Sequence, residues 1–210
     1  MAKQLMISLR VTLILLLIVS GVYPLVVWGV SQAVFPQQAN GSLVQSGGQT
    51  VGSRLLAQGF MRPEYFHPRP SAAGSGYDGT ASGGTNLGPT SDKLINGIHK
   101  KTADGKDDPG NFDGVKDLAA AYRAENGLPA DAPVPVDAVT RSASGLDPDI
   151  SLANAQAQAA RVARARGMSA DDVVRIVHTN LLGRGLGFLG EPHVNVLELN
   201  LVLDKRHPKS

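Results

Sequence analysis

An α+β domain carried on one N-terminal transmembrane helix is the architecture that the sequence predicts. No charged residue occurs between Arg10 and Arg54, a gap of 43 positions, and the first half of that gap is almost wholly aliphatic. Beyond it, segments of helical and of alternating spacing follow one another without a strand-helix repeat, so the body mixes helices and strands outside a doubly wound plan. A chain of 210 residues holds one domain or two small ones. Glycine (24) and proline (13) are frequent, yet a hydrophobic content of 42% supplies a packed core.

The first element is the span. Thirteen of the twenty residues Val11 to Val30 are Leu, Ile or Val. As helix they cover about 30 Å, the thickness of a bilayer core, and insertion is favoured by roughly 4 to 8 kcal/mol. Pro24 kinks this helix without ending it. Lys3 and Arg10 form a basic flank, and Ser31 and Ala33 fit a small-x-small cleavage site, so a signal peptide is the rival reading. The apolar stretch exceeds the roughly 7 to 15 residues of a signal h-region, which favours a retained anchor over 11–34. With positive charge before the span and none after it until Arg54, residues 1–10 are expected in the cytoplasm and the body outside it.

Residues 35–50 are uncharged and rich in Gln, Gly and Ser, the composition of a linker, so the domain is expected over 51–204 with a charged tail over 205–210. From Ser71 to Thr90, twelve of twenty residues are Gly, Ser or Thr. Tyr65, Phe66 and Arg69 just before this stretch, and Tyr77, Asn86 and Leu87 within it, are not spacer residues, so the segment is read as an ordered long loop. Ser91 caps a helix carrying Leu94, Ile95 and Ile98, a polar insertion follows over 99–114, and Val115, Leu118 and Tyr122 resume helical spacing until Gly127. Val134, Val136 and Ala138 alternate as a short strand. The Ala-rich stretch 152–166, closed by Gly167, is a strong helix, and Arg161, Arg164 and Arg166 complement its C-terminal dipole. Ser169 with Asp172 opens a helix bearing Val173, Val174 and Val177. The apolar run 193–204 is read as a central strand.

Composition and motifs exclude several functions. Apart from Lys3 and Arg10, basic and acidic residues balance at 18 each, which lacks the footprint of a nucleic-acid binder. There is no cysteine, hence no disulfide, thiolate nucleophile or cysteine-ligated metal. Gly74, Gly76 and Gly79 spell G-x-G-x-x-G, but neither a strand before it nor a helix after it supports a dinucleotide site. The five histidines show no metal-ligand spacing, and the aspartates of 104–113 lack the twelfth-position carboxylate of a calcium loop. No serine nucleophile elbow and no phosphate-cradling loop occurs. On these residues alone a membrane-anchored extracytoplasmic hydrolase is a further reading, one that needs a nucleophile-base pair the motifs do not supply.

The strings YFHPRPSAAGSGYDGTASGGTNLGPTS (65–91), PVPVDAVTRSASGLDPDIS (133–151), QAARVARARG (158–167) and GFLGEPHVNVLELNLVLD (187–204) resemble the KdpC family, the small subunit of the bacterial Kdp potassium-transporting ATPase. The resemblance leaves out 99–114 and meets Pro68 where a glycine is commoner. It implies a non-catalytic, single-pass subunit of the cell inner membrane with a periplasmic body. Its implied partners are a channel-like subunit that binds potassium and a P-type subunit that hydrolyses ATP. The Asp-Lys-Thr-Gly phosphorylation signature of such pumps is absent here. The family is also described as a catalytic chaperone that raises the ATP affinity of the pump subunit. In that reading ATP is a shared ligand rather than a bound cofactor, and Gln158 with Arg161 one turn on are the nucleotide candidates. An ordinary surface helix is the competing view of that pair. The partner interface is expected on Tyr65, Phe66, Arg69, Tyr77, Asn86 and Leu87, with Gly21 and Gly29 facing a partner helix. The competing view folds Tyr65, Phe66 and Tyr77 onto the domain's own core.

Overall fold

The computed structural model describes residues 1–207. The chain divides into two compact units that meet between Ser53 and Arg54. Lys205 and Arg206 of the expected tail end the last helix, and 208–210 lie outside the described residues.

In the first unit, α1 (Ala2–Leu17) passes through a π-helical turn at Ile18–Val22 into α2 (Tyr23–Val34). The result is one helix of 33 residues, long and apolar enough to cross a membrane, with none of its residues buried. Pro24 lacks an N–H and crowds the carbonyl of Ser20 four residues earlier; the π turn contains Ser20 and accommodates both defects, so the helix runs through. The stretch read as a linker is structured. A short helix α3 (Pro36–Ala39) precedes an antiparallel hairpin of β1 (Leu43–Ser46) and β2 (Gln49–Ser53). Gly47 and Gly48 both have positive φ (59° and 79°), as the two-residue turn between these strands requires.

The second unit is α+β. A long irregular segment, 54–91, leads to α4 (Asp92–Asn96), capped by Ser91 and ended by Gly97 at φ 78°. Ile98, expected on that helix, instead pairs with Phe112 across the polar insertion, which forms a small two-stranded loop. Next comes α5 (Val115–Asn126), begun where Asp117 accepts the Gly114 N–H at 2.8 Å and ended by left-handed Gly127. The expected strand at 134–138 is instead one helical turn, α6 (Val136–Val139), entered from Pro135, which lacks a ladder donor. Strand β3 (Asp149–Ser151) leads into α7 (Leu152–Arg166), capped by Ser151, and α8 (Ala170–Thr179) is capped by Ser169.

The run 193–204 is not a central strand. Only β4 (His193–Asn195) is extended, antiparallel to β3, and Asn195 then caps α9 (Val196–Arg206) by accepting the Glu198 N–H. Helical spacing accounts for the change: Val196, Leu199, Asn200 and Leu203 all face inward. The core lies where α7, α8 and α9 meet the β3–β4 pair, around Ile150, Ala159, Val162, Val173, Val177 and Leu199, and it also receives Phe66 from the irregular segment. A smaller cluster of Tyr122, Ala138 and Val139 joins α5 to α6.

Candidate functional site

The segment Pro63–Arg69 has no ladder of its own, so its backbone groups need partners elsewhere. Helices α7 and α9 supply them. Gln158 of α7 accepts the His67 N–H at 2.8 Å and donates to the His67 carbonyl at 3.1 Å. Asn200 of α9 does the same for Phe66, at 2.8 and 3.0 Å. Two amides from two helices thus hold consecutive residues as a neighbouring strand would. Arg161, one turn beyond Gln158, donates to the carbonyls of Pro63 (2.7 Å) and Tyr65 (2.9 Å), to Asn126 Oδ1 (3.0 Å) and to Gln158 Oε1 (2.7 Å). Arg166 reaches the Glu64 carbonyl at 2.6 Å and pairs with Asp204, which also accepts the Tyr65 hydroxyl.

These contacts settle the position of the residues singled out from the sequence. Gln158 and Arg161 do share a face, but it is the inner face: they are 1% and 5% exposed. The helix is therefore no ordinary surface helix at these positions, and Arg161 and Arg166 are structural rather than dipole complement alone. Gln158 borders a cavity of about 210 Å³ with Tyr77, Tyr122 and Glu125; Arg161 does not border it. Phe66 is fully buried, which places it in the core. Tyr65 is half-buried on Asp204.

The second half of the loop is held by the segment before β3. Arg69 pairs with Asp147 at 2.7 Å and bonds the Thr140 carbonyl, and the Tyr77 hydroxyl donates to the Arg69 carbonyl at 2.8 Å. Burial pushes the Tyr77 phenol up to about 12. Ser71 donates to the Gly145 carbonyl at 2.6 Å, and Gly83 N–H to the Ser144 carbonyl at 2.9 Å. Asn86, with φ 53°, is exposed and Leu87 half-exposed at the loop's far end. On the apolar helix, a Cβ at Gly29 would meet nothing within 4 Å, and one at Gly21 only its own neighbour Leu17.

Several organising residues have no signal in the sequence. Asp137 accepts the Ser151 N–H, the Ser151 hydroxyl and the Asn154 amide at 2.8, 2.8 and 2.9 Å, so it ties α6 to the start of α7. His67 places Nε2 3.0 Å from the Arg62 carbonyl and Nδ1 2.8 Å from Glu125, whose carboxyl it holds below the usual range. Asn200 and Asp204 stand one turn apart, a spacing that was readable only once 196–206 is taken as helix. A larger cavity of about 520 Å³ is lined by Arg69, Asp137, Asp147, Asp149, Glu191 and His193. There burial raises the Asp149 carboxyl above its ordinary value, and Asn195 donates to it at 3.0 Å. His99, Asp113 and Asp117 come within 4.8 Å of one another at the base of the insertion, although their spacing showed no ligand pattern. Asp117 is already engaged there by His99 and the Gly114 N–H. Among the described residues no buried side-chain polar atom lacks a partner.

Comparison with known proteins bears on what such an internally bonded body belongs to. The profile of the KdpC family, described as "K+-transporting ATPase, c chain", matches residues 5–205. The potassium-transporting ATPase KdpC subunit of Mycobacterium tuberculosis (strain ATCC 25618 / H37Rv) is 49% identical over 205 residues, 98% of this chain and all of its own. That of Koribacter versatilis (strain Ellin345) is 45% identical over 208 residues, 99% of this chain and 97% of its own. That of Caulobacter vibrioides (strain NA1000 / CB15N) is 51% identical over 187 residues, 89% of this chain and 85% of its own. With the family matched from the apolar helix to the last helix of the body, the chain belongs to the KdpC family of potassium-transporting ATPase subunits.

Proposed function

We propose that this chain is the non-catalytic accessory subunit of an ATP-driven potassium uptake complex, anchored once in the cell inner membrane, with its N-terminus cytoplasmic and its body outside. In this reading it serves assembly with the potassium-binding and ATP-hydrolysing subunits and acts at the face where ions enter. The observation that carries it is the destination of the body's buried polar groups. Gln158, Arg161, Asn154 and Asn200, with half-buried Asp137, are bonded to this chain's own backbone and side chains, which is what a scaffold needs, and among the described residues no buried side-chain polar atom is left over for a ligand. The family match leaves the extracytoplasmic hydrolase without support.

For the ATP-affinity role the same geometry is unfavourable, because Gln158 and Arg161 are committed to the Pro63–His67 backbone rather than to a ligand-facing surface. The glycine face of the span, Gly21 and Gly29, and the exposed end of the loop at Asn86 and Leu87 remain available to partners in this reading. Expressed with the other two subunits, the tagged chain is expected to co-purify with both, and omitting it should abolish potassium-stimulated ATP hydrolysis by the recovered complex. The chain alone should turn over no ATP and take no label from it. An intact, fully active complex formed without it, or turnover by the isolated chain, contradicts the proposal.

A further inference from the structure

Between α8 and β4 the body extends a two-stranded arm. Leu182 and His193 exchange both backbone hydrogen bonds, at 2.8 and 3.1 Å, and nearer the tip Gly185 and Leu189 do so at 2.8 Å each. Arg184 pairs with Glu191 across the arm at 2.7 Å. Such a ladder fixes the geometry of what it carries. At the tip stand Leu186, Phe188 and Leu189, which are 85%, 68% and 53% exposed. Leu186 also holds φ 51°, a left-handed conformation that a leucine adopts only against steric resistance. Three large apolar side chains are thus presented to water on a rigid support, at a cost in both solvation and backbone energy.

Resting on the accessory-subunit reading above, we infer that arm 182–193 is the docking element of the body, its Leu186–Leu189 tip entering an apolar cleft on another, membrane-embedded subunit of the same complex. Two observations select a protein over a lipid surface. Arg184 is neutralised by Glu191 and no other Lys or Arg lies between 182 and 193, so the arm lacks the basic collar that draws an apolar loop to anionic headgroups. Its backbone is also pre-ordered, which lowers the entropy lost on docking into a shaped site and brings nothing to insertion in fluid lipid. The arm shares one end of the fold with Arg54, where the chain enters the body: Asn195, two residues past the arm, donates to the Arg54 carbonyl at 3.0 Å, and Glu198 pairs with Arg54 at 2.8 Å.

Because the chain has no cysteine, Phe188→Cys offers a single thiol for a benzophenone photocrosslinker in the assembled complex in native membranes. The expected product is an adduct joining this chain to another subunit of the complex, identified by mass spectrometry. An adduct with lipid, with a second copy of this chain, or with water only overturns the inference. Val27→Cys on the apolar helix, treated in parallel, separates the two readings: capture of a subunit from Val27→Cys but not from Phe188→Cys refutes the arm alone, and capture from neither refutes complex membership with it. Leu186→Ser combined with Phe188→Ser should lower the recovered complex about tenfold or more while the thermal transition of the chain stays unchanged. Undiminished recovery also overturns the inference.

Discussion

Replacing Arg161 with alanine is expected to destabilise the body by about 3 to 5 kcal/mol, because several buried or half-buried acceptors lose their donor at once. The substitution removes the donors that serve the Pro63 and Tyr65 carbonyls, Asn126 and Gln158, and it takes the guanidinium away from Glu125, 3.9 Å away. Each buried acceptor left unpaired costs about 1 to 3 kcal/mol, so the loss exceeds that of a surface arginine. In a body of this size it lowers the thermal midpoint by about 6 to 20 °C. Arg161→Lys should recover little, since one ammonium cannot span four acceptors placed around a planar fork. Thermal unfolding of the purified chain checks this. A midpoint unchanged on Arg161→Ala, together with a raised apparent ATP constant of the assembled pump, would point to nucleotide contact instead.

Gly145→Ala is expected to cost about 3 kcal/mol or more, combining the 1 to 2 kcal/mol of a left-handed non-glycine residue with a steric collision in a packed site. Gly145 has φ 68°, and a Cβ there would sit 2.6 Å from the Gly83 carbonyl oxygen and 2.7 Å from the Ala73 nitrogen. Both are backbone atoms of the glycine-rich loop, so the loop itself must move. It would then lose the bonds from Ser71 and Gly83 to the 144–145 backbone. Hydrogen exchange should show lost protection around 71–84 before the helical core opens. A variant with wild-type midpoint and protection contradicts this account of the loop.

The readable parts of the fold are those set by local chemistry. Ser91 and Ser169 as caps, and Gly127 and Gly167 as stops, act within one turn of the chain, and the helices begin and end beside them. The 193–204 run misleads because its apolar residues satisfy a period of two as well as one of 3.6. What decides is Asn195-x-x-Glu198, a helix start embedded in the run. In the same way Gly47-Gly48 between two short alternating stretches marks a hairpin inside an apparent linker.

The site was legible only as an ordered loop. That aromatics and single polar residues in a Gly/Ser-rich stretch signal order follows from their need for partners, and Phe66, Arg69 and Tyr77 do find them within the chain. Two of those partners, Asn200 for Phe66 and Asp147 for Arg69, lie 134 and 78 residues away along the chain, and no local pattern links them. The surface reading of Gln158 and Arg161 failed because a polar residue on an Ala-rich helix looks solvated until a neighbouring backbone is brought against it.

The central claim is an accessory subunit whose body lies outside the cytoplasm, and the side of the membrane occupied by that body tests it most directly. Val136 is 73% exposed, so Val136→Cys supplies one accessible thiol in a chain without any other. A membrane-impermeant maleimide added to intact spheroplasts should label Val136→Cys fully, with no gain on permeabilisation. Labelling that appears only after the membrane is opened would put the body in the cytoplasm and contradict the account.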